Sequence, residues 1–70
     1  MEGSISLLKE FILCNFGRMD VEEIKDRKIV RIVYSAEPSD KQYFNDTILD
    51  KVRDLFGESY AVSISKEKIG

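Results

Sequence analysis

Between Ile29 and Ser65 the hydrophobic period changes twice, and that change restricts the fold more than any other feature of the chain. Ile29–Ser35 reads Ile-Val-Arg-Ile-Val-Tyr-Ser, a β-branched run that predicts a strand. Val30, Ile32 and Tyr34 share one face, and Ile29, Arg31 and Val33 share the other. Two fairly apolar faces suit a central strand. Pro38-Ser39-Asp40 stops the strand, and Ser39 with Gln42 predicts a capping box. Phe44, Ile48, Val52 and Leu55 follow at helical spacing, with Leu49 and Phe56 beside them, and Gly57 supplies a C′ residue. Tyr60–Ser65 predicts a second strand, with Tyr60, Val62 and Ile64 on one face and the small Ala61, Ser63 and Ser65 on the other. A strand–helix–strand unit closes as a right-handed crossover, so its strands run parallel.

Upstream, Ser4–Phe16 predicts a helix. Ile5, Leu8, Ile12 and Phe16 make its stripe, with Leu7 and Phe11 on the flank, Ser4 or Ser6 as N-cap and Gly17 as C′ residue. Lys9, Glu10 and Asn15 are its clear polar residues, and so apolar a helix is expected to be covered on most sides. Met19–Asp26 is ambiguous. Asp20 with Glu23 resembles a capping box, which favours a short helix. Topology favours a strand, because a two-stranded sheet is weak and a hairpin through Lys25–Lys28 adds a third member. A short helix there would leave the missing strand to another chain.

The expected fold is therefore α+β, a two-layer sandwich in α-β-β-α-β order. Two helices cover one face of a three-stranded mixed sheet and leave the other open. At 70 residues the chain is read as one small domain, 1–70, without linker or repeat. Lys66–Gly70 is read as a frayed tail. A chain this short buries about 60% of its unfolded surface, which makes a partner chain a natural source of further stability.

The residue inventory narrows the chemistry. The chain has no His and a single cysteine, Cys14, so it lacks a Ser-His-Asp triad, a Cys-His pair, a His-ligated metal and an internal disulfide. No catalytic, cofactor-binding or metal-binding residue is assigned, and no enzyme activity is expected. Cys14, late in an apolar helix where the dipole disfavours a thiolate, reads as a small buried or half-buried hydrophobe. No apolar run approaches the length of a membrane span, and the acidic N-terminus is unlike a signal peptide. A cytoplasmic protein without membrane contact is the expectation.

Three surface features remain. Ile29, Arg31 and Val33 lie on the open sheet face and are candidate contact residues for a protein partner or a second copy. Asp46, Asp50 and Asp54 form an acidic ladder at i, i+4 and i+8, with Lys51 and Arg53 able to pair at i, i+3. It is a solvated face, a contact for a basic partner, or, if ligands from other elements converged on it, a metal site. Lys25, Arg27, Lys28 and Arg31 form a basic turn, which Lys66 and Lys68 would extend, with Tyr34 and Tyr60 as stacking candidates for RNA. Tyr43 is read as a core-edge residue or an interface residue.

The element order resembles small α-β-β-α-β modules, KH-like domains and the ring-building domains of secretion systems among them. A KH-like RNA binder carries a Gly-x-x-Gly loop, which this chain lacks, so the resemblance transfers no residues. The expected function is a non-enzymatic interaction module that docks on a protein partner or associates with itself, as a homodimer, through the open face or a strand edge. The alternative is nucleic-acid or ribosome binding through the basic turn. A net charge of −2 does not favour that alternative.

Overall fold

The computed structural model describes residues 3–68. Its elements are α1 (Gly3–Phe16), β1 (Asp20–Ile24), β2 (Ile29–Tyr34), α2 (Lys41–Phe56) and β3 (Ala61–Lys66). The sheet order is β1-β2-β3, antiparallel between β1 and β2 and parallel between β2 and β3. Met19–Asp26 is thus a strand in its middle and not a helix. Its backbone groups find partners on β2, which outweighs a local capping preference.

The core follows the two periods. Leu8 and Ile12 come from α1, Phe44, Ile48 and Val52 from α2, Val30 and Ile32 from β2, and Val21 from β1. All but Val21 are at most 1% exposed. Each such side chain contributes about 1.5–3 kcal/mol of transfer free energy when fully buried. Val62 and Ile64 of β3 pack against this cluster from the side and stay half-buried, because β3 is an edge strand. An aromatic group closes one end. Phe16 sets its ring edge-on to Phe44 at 4.8 Å, and Tyr43 and Phe11 lie 6.1 and 6.5 Å from Phe16.

Helix termini depart from the sequence reading in two places. Asp40, not Ser39, caps α2: its carboxylate accepts the Tyr43 N–H at 3.0 Å. An anionic cap also meets the positive end of the helix dipole, which a hydroxyl does not. Ser4 caps nothing in its own helix, since α1 already begins at Gly3. Its hydroxyl donates to the Leu55 carbonyl at 3.1 Å, one of the last carbonyls of α2, and so ties the two helices together. Ser6 is an exposed residue within α1. Gly17 and Gly57 end their helices at φ of 103° and 95°, where a Cβ would be strained.

The cover on α1 is thinner than its composition suggests. Leu7 and Leu13 are each 55% exposed, and Cys14 is exposed rather than buried. With two helices on one sheet face, α1 has the sheet beneath it and α2 beside it. Leu8 and Ile12 point into that corner, and Cys14, two residues past Ile12, points about 200° away from it. The tail reading also shifts. Lys66 is the last residue of β3, and the Glu67 N–H donates to the Tyr34 carbonyl at 2.8 Å, while residues 69 and 70 lie outside the described residues.

Candidate interaction surface

Strand register determines what the open face carries. Its three columns are Asp20, Glu22 and Ile24 on β1, Ile29, Arg31 and Val33 on β2, and Ala61, Ser63 and Ser65 on β3. Arg31 is central, paired with Glu22 on one side and Ser63 on the other, and Val33 is paired with Asp20 and Ser65. Ile24, Ile29 and Val33 are half-buried by their neighbours in the sheet, and the other six residues are exposed. The face therefore has an acidic column, a mixed apolar and cationic column, and a small neutral column.

The edges differ as much as the columns. Along β1 the sequence Asp-Val-Glu-Glu-Ile sets carboxylates on both faces. Along β3 the run Ala61–Ser65 has no charge, no proline and no bulge. Beside β3, under the flank of α2, lies a cleft of about 370 Å³ lined by Tyr34, Pro38, Phe44, Leu49, Val62 and Ile64, with Lys41 and Asn45 at its margin. Leu49 is 44% exposed there.

The basic turn is only partly assembled. Lys25, Arg27 and Lys28 are exposed at the β1–β2 hairpin, with Lys28 in the left-handed region at φ 53°, and Arg31 lies two residues into the open face from Ile29. Lys66 and Lys68 do not join them. Lys66 pairs with Tyr34 at the far end of β2, the length of a strand away, roughly 17–20 Å. A parallel β2–β3 pair necessarily puts the start of one strand beside the start of the other. The tyrosines are turned to the helices. The Tyr34 ring meets Phe44 edge-on at 6.4 Å, and Tyr60 packs on Phe56 at 5.1 Å.

The Tyr60 hydroxyl, one residue before β3, donates to a Glu23 Oε of β1 at 2.7 Å, crossing beneath the helices. This contact joins positions 37 residues apart, and sequence reading missed it because no local spacing relates two residues so distant in the chain. The hydrogen bond raises the Tyr60 pKa above its reference of 10.0, and burial and the Glu23 charge act in the same direction. A raised phenol pKa contributes stability that is present below the unfolded value and lost as pH climbs through the folded one. The wild type is therefore expected to lose stability more steeply above pH 10 than Tyr60→Phe. Urea midpoints of the two proteins on either side of that pH test it, and parallel declines would remove the linkage.

The acidic ladder is where the helical period put it. Asp46, Asp50 and Asp54 are all exposed on α2, and the Arg53 guanidinium reaches Asp50 at 3.9 Å. Lys51 does not pair with Asp54 but holds its ammonium 4.9 Å over the Phe11 ring of α1. An aromatic face fixed by the helix pair competes well with an exposed carboxylate in water. Among the described residues, no group of three or more His, Cys, Asp or Glu converges as a metal site would require. Tyr43 combines both readings, touching the core's edge through Phe16 while 61% exposed. No helix of the described residues is long and apolar enough to cross a membrane. The chain matches no protein-family model, no curated protein and no solved structure.

Proposed function

We propose that this chain is a non-enzymatic interaction module of the cytoplasm that works by association through its sheet, with a second copy of itself as the first partner. One observation carries the reading: among the described residues two helices cover a single face of a three-stranded sheet and nothing covers the other face or the β3 edge. Ile29, Arg31 and Val33 are the candidate contact groups if the face pairs, and the β3 backbone is the candidate contact if the edge does. Arg31 beside the Asp20 and Glu22 column gives the face charges of both signs, which a two-fold axis can match.

Nucleic-acid binding through Lys25, Arg27, Lys28 and Arg31 is less well supported. Lys66 and Lys68 lie at the opposite end of the sheet, Tyr34 and Tyr60 face the helices, and Glu22 stands opposite Arg31.

The test is the mass of the purified chain in solution against concentration, by sedimentation equilibrium. Twice the 8.1 kDa chain mass at micromolar to millimolar concentration, unaffected by nuclease, is the expected result. A strictly monomeric chain over that range would overturn self-association. Retention of RNA that falls steeply with added salt would move the function to the basic turn.

A further inference from the structure

We infer that the β3 edge is the seam of a two-fold homodimer, in which β3 pairs antiparallel with β3 of the second copy about Ser63. The inference rests on the self-association reading above and selects the edge over the open face.

Backbone direction comes first. The Ala61 N–H donates to the Lys28 carbonyl at 2.9 Å and the Glu67 N–H to the Tyr34 carbonyl at 2.8 Å. In a strand these groups alternate in direction, so residues 61, 63, 65 and 67 bond inward to β2. Val62, Ile64 and Lys66 then point their N–H and C=O groups outward, where no strand of the described residues lies. Such a row is a template for another strand, and proteins that keep it single usually guard it with charge, proline or a bulge. Ala61–Ser65 has none of these, and Lys66 at the strand's end is its one charge.

Charge then selects the occupant. Centred on Ser63, antiparallel pairing sets Val62 against Ile64 of the second copy and Ala61 against Ser65. Farther out it sets Tyr60 against Lys66, so no two like charges meet along the strand. The β1 edge fails the same exercise. Centring on Glu22 or Glu23 sets a carboxylate against itself, and centring on Val21 sets Asp20 against Glu22. Like charges directly opposite are destabilising. One edge of the sheet is thus built to refuse its own copy and the other to accept it.

The cleft beside β3 adds side-chain contact. On pairing, the clefts of the two copies meet above the seam, and Leu49, Val62 and Ile64 gain apolar neighbours that they lack in the single chain. The result is a six-stranded sheet of order β1-β2-β3-β3-β2-β1 with all the helices on one side.

Three measurements test it. Val62→Pro removes an outward N–H and leaves the β2 ladder intact, a placement that edge strands tolerate. It is expected to weaken dimerisation at least about tenfold, while Ile29→Lys with Val33→Glu on the open face leaves it within about threefold. In a Cys14→Ser background, Ser63→Cys is expected to form a disulfide-linked dimer rapidly under mild oxidation. Residues facing across a non-hydrogen-bonded pair have Cα atoms about 4.5 Å apart, within the range a disulfide spans. Ser65→Cys, equally exposed but opposite residue 61, is expected to link far more slowly. The linking comparison stands even if the proline variant does not fold. A dimer that survives Val62→Pro but is lost in the open-face variant, or equal linking at 63 and 65, overturns the edge seam and leaves self-association in place. A monomeric wild type overturns both.

Discussion

Replacing Phe44 with alanine is expected to lower the unfolding free energy by about 3–5 kcal/mol. Phe44 is 1% exposed and sits where three elements meet. Its ring is edge-on to Phe16 of α1 at 4.8 Å and to Tyr34 of β2 at 6.4 Å, and it lines the cleft beside β3. Truncation removes its transfer free energy, leaves a cavity in a core of few residues, and forfeits edge-to-face pairs worth about 0.5–1.5 kcal/mol each. Folded chains hold roughly 0.05–0.15 kcal/mol per residue, or about 4–10 kcal/mol at this length. The loss is therefore a large part of the whole, and the variant should be substantially unfolded at 37 °C. Urea denaturation followed by circular dichroism measures it, and a loss below about 1 kcal/mol would mean that Phe44 does not carry this junction.

The second large effect separates two leucines of one helix. Leu8→Ala is expected to cost about 2–5 kcal/mol, because Leu8 is fully buried and, with Ile12, fixes α1 to the sheet and α2. Leu13→Ala is expected to stay within about 0.5 kcal/mol, since Leu13 is 55% exposed and truncation opens no cavity. The same denaturation experiment on both variants decides it. Equal losses would mean that a second chain covers the outer side of α1 under the conditions of measurement. That side is where Leu7, Leu13 and Cys14 stand, and a concentration-dependent midpoint would identify such a cover.

The legible part of this protein is periodic. The Phe44, Ile48 and Val52 stripe, the alternation through Ile29–Ser35 and Tyr60–Ser65, and Gly17 and Gly57 are local signals, and each element stands within a residue or two of where they put it. Asp20–Ile24 was settled by topology, because its own pattern also fits a short helix. The open face followed from the same count of elements, since two helices cannot cover both sides of a sheet.

Four features were not legible, and each depends on residues far apart in the chain. Cys14 reads as a buried or half-buried hydrophobe, and only the packing corner between α2 and the sheet decides which side of α1 is buried. Ser4 reads as a cap for its own helix, yet its hydroxyl serves Leu55 at the end of the other. Lys66 and Lys68 look like companions of the basic turn until the parallel register sends them to the opposite end of the sheet. Tyr60 looks free until β3 brings it over Glu23.

The candidate seam divides in the same way. Its neutral residues, Ala61–Ser65, and the acidic run Asp20–Glu23 were visible in the sequence from the start. That both are edge strands followed from reading Ile29–Ser35 as the central strand, but which of their backbone groups face outward did not. Chain order and hydrophobic period determined the elements and the faces they bury, since both follow from the spacing of neighbouring residues. Strand register decided which backbone groups stay unpaired, and no local spacing encodes that, because a strand's partners lie elsewhere in the chain.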